Sequence, residues 1–148
     1  MINLYSAKST YPSLKDNADK FIKKFTATAA ITGEVKKLDG DTQFEAFGKF
    51  FELKFSMVRN PIEKLHLDFL GEIRAYTITE TATGAKVENH LACIWFDRQE
   101  NSTDLLKEDT RLHSALTEDD TVSNFTQVLL YSLLDSDHFK AYGVQDKK

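Results

Sequence analysis

"KLHLDFLGEIRAYTITETATGAKVENHLACIWFDR", residues 64–98, decides how this chain is read. Its first half alternates, with Leu65, Leu67, Phe69, Ile73 and Ala75 on one side and His66, Asp68, Glu72, Arg74 and Tyr76 on the other. A period of two marks a strand whose faces meet different surroundings. The "TATG" that follows puts Gly84 where a three-residue hairpin loop needs a left-handed residue. Thr81 then faces Ala85, Tyr76 faces His90, Ala75 faces Leu91, Ile73 faces Cys93 and Gly71 faces Trp95. This register sets apolar beside apolar and lays the tryptophan over the glycine, which a slip of one residue would undo.

Upstream, "FELKFSM" alternates Phe51, Leu53, Phe55 and Met57 against Glu52, Lys54 and Ser56, and Asn60-Pro61 ends the run. A tight turn there predicts Phe51 opposite Gly71, Leu53 opposite Phe69, Phe55 opposite Leu67, and Lys54 opposite Asp68. "TQFEAFGKFF" reads two ways: Phe44, Phe47 and Phe51 stand at helical intervals, while Thr42, Phe44, Ala46 and Gly48 alternate. Residues 41–50 are therefore open between a short helix and a strand with an irregularity at Gly48. "ITGEVKKLDGD" predicts a short strand before an Asp39-Gly40 turn.

Helices are predicted at both ends. "YPSLKDNADKFIKKFTATAA" carries Leu14, Ala18, Phe21, Ile22, Phe25 and Ala29 at helical spacing behind a Ser13 cap. "STDLLKEDTRLHSAL" predicts a helix capped by Ser102 or Thr103, with Leu105, Leu106, Leu112 and Leu116. "TVSNFTQVLLYSLL" predicts another on Val122, Phe125, Val128, Leu129 and Leu133. A short amphipathic turn and a tail frayed from about residue 143 finish the chain. The expected fold is α+β: one domain over residues 1–148, an antiparallel meander of three to four strands, a long N-terminal helix and two C-terminal helices packed on it.

Composition narrows the function classes. The chain has 148 residues, 41% hydrophobic and 28% charged, which is ordinary for a soluble globular domain. Eleven Phe and five Tyr against one Trp and two Met predict a core built of aromatic rings. The net charge of −4 and the lack of any basic stripe argue against nucleic acid; Lys20, Lys23 and Lys24 alternate with Asp16 and Asp19 on a helix face. A single cysteine leaves no intrachain disulfide. No apolar run reaches the ~18 residues of a membrane span, and the N-terminus lacks a secretory leader, so a cytoplasmic protein is expected. The sequons at Asn101 and Asn124 then read as chance.

Chemistry-bearing motifs are absent: no "GxGxxG", "GxxxxGK[ST]", "GxSxG", "HExxH" or paired "CxxC" occurs. The straight register puts Cys93 and Trp95 on the core face, where a thiol is a poor nucleophile. His90 points the other way. His66 lies ten residues from Tyr76, roughly 33 Å along the strand, so it forms no metal pair with His90. His113 and His138 are isolated, and the acids at 118–120 suit a helix start. No metal or cofactor is predicted.

One feature exceeds this. The reverse face of the sheet carries Leu70, Tyr76, Ile78, Ala92, Ile94 and Phe96, a patch too apolar to be left wet. Helices on both faces, a homo-oligomeric or protein–protein interface, or a small-molecule pocket would each cover it. The expected function is a soluble, non-enzymatic interaction or regulatory module, self-associating through that surface. The alternative is a ligand-binding or cofactor-free enzyme domain in which Arg74 holds an anion and His90 acts as acid or base beside Tyr76.

Overall fold

The computed structural model describes residues 4–62, 67–106, 112 and 114–141. Seven antiparallel strands lie side by side in chain order: β1 (Val35–Lys37), β2 (Gln43–Ala46), β3 (Lys49–Arg59), β4 (Phe69–Glu80), β5 (Lys86–Phe96), β6 (Asn101–Thr103) and β7 (Ser114–Ala115). Helix α1 (Leu4–Thr32) precedes the sheet and α2 (Asp119–Leu134) follows it, with a short 3-10 turn at Asp137–Phe139. The fold is α+β, as expected, but among the described residues it has seven strands in place of three or four and one C-terminal α-helix in place of two.

Three short strands account for the excess. Residues 43–50, within the stretch left open by the sequence, form the end of the β2–β3 hairpin, in which Ala46 pairs with Lys49 around a two-residue turn. Phe47 and Gly48 both hold left-handed backbone, with φ of 52° and 78°. That is the combination whose twist suits a tight hairpin. At the other end the predicted helix over 102–116 is replaced by strands: Ser102 and Thr103 lie in β6, and Ser114 and Ala115 in β7. Residues 107–111 and 113 of that prediction lie outside the described residues, as does the tail from 143.

Both helices pack on one face of the sheet. Leu14, Ala18, Phe21, Phe25 and Ala29 recur every three or four positions along α1, and Val122, Phe125, Leu129 and Leu133 along α2. They meet Val35, Phe44, Ala46, Phe51, Leu53, Ile73, Ala75, Ile94 and Phe96 in one buried cluster. Phe25 is its hub, with edge-on contacts to Phe44 at 5.1 Å, Phe125 at 6.0 Å and Phe51 at 6.4 Å. Helix α1 starts well before the predicted Ser13 cap and runs through Pro12. Proline there forgoes only the bond to the carbonyl four residues back, which the long packed helix tolerates.

The strand register departs from the straight reading in two places. Between β3 and β4, Leu53 pairs with Ala75 and Lys54 with Arg74, because the connection is longer than a tight Asn60-Pro61 turn. Asn60 closes that connection: its Nδ2 donates to Ile62 O and Leu67 O, and its Oδ1 accepts from Ile62 N. The displacement is an even number of residues, so every β3 side chain keeps its predicted face.

The second departure changes faces. Near the hairpin, Tyr76 pairs with His90 and Glu80 with Lys86 as predicted, but the register shifts between Ala75 and Tyr76. Leu91 and Ala92 are both buried, the mark of a β-bulge that spends two residues on one face. Beyond it Ile94 pairs with Ile73, and Phe96 lies opposite Gly71. Cys93 and Trp95 turn to the reverse face, opposite Arg74 and Glu72, which corrects their predicted place in the core. The bulge carries Ala92, Ile94 and Phe96 inward, where they join Leu91 in the buried cluster.

Candidate functional site

The bulge divides the apolar patch expected on the reverse face. Ala92, Ile94 and Phe96 belong to the core and are not on that surface. Leu70 remains on the reverse face but is fully buried, outside the main cluster, as is Ile62 in the connection before it. Tyr76 is half-buried there, and Ile78 is 42% exposed. Of the six residues, only these last two reach solvent on the face left open by the helices.

Arg74, Tyr76 and His90 are neighbours whose polar groups are already engaged in part. Arg74 lies over the Tyr76 ring, 5.3 Å from its centroid, and forms an ion pair with Glu88 of the next strand. Burial raises the Tyr76 hydroxyl above its ordinary pKa, and the Glu52 carboxylate that it hydrogen-bonds raises it further. Glu88 competes with any anion brought to Arg74, and the raised pKa keeps the tyrosine protonated at neutral pH. Beside them Trp95 Nε1 donates to Glu72 Oε2 at 2.9 Å. The open face is thus a lattice of cross-strand pairs.

His138 works elsewhere. The Thr77 hydroxyl lies 2.6 Å from Phe50 O, which can only accept, so its proton is committed there. The His138 ring nitrogen at 2.8 Å is therefore the donor to Thr77 Oγ1. His138 and the adjacent Phe139, edge-on to Phe47, tie the end of the described chain to the β2–β3 turn. His66 and His113 lie outside the described residues. Among the described residues, no three of His, Cys, Asp and Glu cluster as metal ligands.

Among the described residues, the outer edge of β5 leaves backbone groups without a partner strand, as does β3 beyond Leu53 on the side of β2. β6 pairs with β5 only through Thr103 at Trp95 and Ser102 at Phe96. Among the described residues, no strand lies beside the remainder, from Lys86 to Ile94. The alternation of antiparallel bonding tells which groups face out. Thr81 N donates to Ala85 O at 2.8 Å, so Val87 and Asn89 turn their backbone to β4. Lys86, Glu88 and His90 turn theirs outward. After the bulge Cys93 is the next outward residue, and Trp95, in the same phase, is the one β6 takes.

Helix α2 borders this edge on the covered side, and a cavity of about 510 Å³ lies between them. His90 and Cys93 line it from β5, Thr103 and Asp104 from the end of β6, and Thr121, Asn124 and Val128 from α2. Of the lining residues, His90 and Ile94 were candidates in the sequence. The helix predicted over 102–116 would have hidden that β6 stops at Thr103 and opens the edge.

Cys93, in the cavity wall, is not an activated nucleophile. Burial pushes the Cys93 thiol up to about 12, and nearby Glu72 adds to the rise, outweighing Arg74 and the Ile94 N–H. Iodoacetamide at pH 8 is expected to alkylate native Cys93 more than tenfold more slowly than the same cysteine in urea, because the thiolate is the reacting species. Mass spectrometry of timed samples checks this. The sign for stability follows. The folded chain retains the proton, so this contribution is whole below the unfolded thiol's pKa of ~8.5 and is lost as pH rises towards 12. Comparisons of the chain with known protein families, with curated proteins and with solved structures gave no match.

Proposed function

We propose that the protein is a non-enzymatic interaction module that takes an extended segment of a partner protein as an added strand on β5. The observation that carries this reading is the run of outward backbone groups from Lys86 to Cys93 beside α2. An extended peptide laid in such a groove completes the ladder with its main chain and offers alternate side chains to the two walls. The outer strands of the sheet contrast with this edge: β1 has three residues and β7 two. Short edge strands give an incoming chain little to pair with, and the open part of β3, residues 54–59, spans about 20 Å, whereas β5 leaves about 26 Å at strand rise beside a cavity. The engagement of Arg74 by Glu88, and the raised thiol of Cys93, favour binding over catalysis at this surface.

Selection of displayed random decapeptides against the wild-type protein and His90→Pro tests the reading. The N–H of residue 90 faces outward, so proline there spares the β4 ladder while its ring obstructs the edge. Wild-type protein is expected to enrich peptides that His90→Pro does not hold. N-methylation at alternate positions of a selected peptide is expected to weaken binding more than tenfold, with the protein itself unchanged. Failure to enrich, or binding indifferent to N-methylation, overturns strand addition. Light scattering over a concentration series addresses the competing occupant, a second copy of the chain. A dimer abolished by His90→Pro would replace the peptide reading with self-pairing.

A further inference from the structure

Resting on strand addition to β5, we propose that the bound segment is basic, with a lysine or arginine where it passes the first turn of α2. Three carboxylates border the groove at the end where β6 leaves β5: Asp104, Glu118 and Asp120. All three are exposed, and no cation among the described residues pairs with them. Asp119, between two of them, is by contrast held by Lys24 at 2.6 Å. The N-terminal dipole of α2 supplies only about half a positive charge, so it leaves that end of the groove negative.

The other wall has the same sign. On the open face, β3 to β5 present Glu52, Glu72, Glu80 and Glu88 against Lys54, Arg74 and Lys86. Further from α2's first turn the groove is lined by His90 and the half-exposed Val128, and it carries no carboxylate from the helix there. Carboxylates that line the groove without a cation partner thus lie at one end only, which sets the position of a cationic side chain as well as its sign. Complementarity of this kind acts on partner choice and association rate more than on the depth of binding.

The probes are a decapeptide selected as above and two synthetic relatives with its cationic residue changed to glutamine or glutamate. We expect the selected peptides to share a lysine or arginine at a fixed place. The glutamate form is expected to bind at least tenfold more weakly at low ionic strength, and the gap to narrow towards 1 M salt. The double variant Asp104→Asn, Asp120→Asn should lose the discrimination while still binding the neutral peptide, since both side chains are exposed. Peptides that bind without a fixed cation, yet still fail when N-methylated, overturn this inference and leave strand addition standing. Peptides whose binding ignores N-methylation overturn both.

Discussion

Replacing Gly71 with alanine is expected to destabilise the protein by about 3 kcal/mol, the upper part of the range for overpacking a core. Gly71 is buried in β4, and a Cβ there would overlap the Phe96 ring, with Cε1 at 2.8 Å and two further ring carbons nearer still. The ring cannot swing away, because Phe96 is fully buried. The bulge in β5 makes this contact, since it brings Phe96 rather than Trp95 opposite the glycine. Thermal unfolding should show Tm lower by roughly 10 °C for a chain of this size. The double variant Gly71→Ala, Phe96→Leu should be less destabilised than the two single changes together, because the smaller side chain yields the space. Additive costs would mean that the ring does not press on the glycine.

The second large effect is expected at Phe25→Ala, about 4 kcal/mol by urea unfolding with an unchanged slope. Against a total of ~5–15 kcal/mol that is a large share of the stability. Phe25 has no exposed surface and touches rings from three elements: Phe44 of β2, Phe51 of β3 and Phe125 of α2. Truncation leaves a void between two helices and the sheet, and no single element can move in to close it. Tyr11 gives the comparison. It too contacts a ring, Phe55 at 5.8 Å, but it is 42% exposed. Tyr11→Ala should cost well under half as much, and equal losses would sink the idea that Phe25 holds the layers together.

What the sequence revealed, and what it hid, follows from how each signal is carried. Periodicity is local, so α1, α2 and the long strands β3 to β5 were legible from Leu14 to Ala29, from Val122 to Leu133, and from Phe51 to Phe96. The bulge was not, because "LACIWF" holds no polar residue to mark the phase; either face of Leu91 to Phe96 reads as buried. Its one trace is the adjacent pair Leu91 and Ala92, where strict alternation lapses. The β2–β3 hairpin was obscured by Phe47, a large residue in a left-handed turn position where Asn or Gly is the usual sign. The groove was hidden by a false helix: Leu105, Leu106, Leu112 and Leu116 are spaced for one, yet β6 ends at Thr103 and β7 begins at Ser114. Of the candidate site residues, His90 and the buried Ile94 line the groove, while Arg74 and Tyr76 belong to the open face.

The meander also bears on the order of assembly. Strand order across the sheet repeats strand order along the chain, so each hairpin closes a short loop at small entropic cost. The long closures fall to the helices. Asn17 of α1 reaches Asp97 O and Arg98 O, 80 and 81 residues away, at the turn between β5 and β6. A sheet that zips pair by pair from its own neighbours, then receives α1 across it, is the expected sequence of events. Until α1 docks, the row of phenylalanines it covers stays in water, and crowding by other nascent chains would be most harmful in that interval.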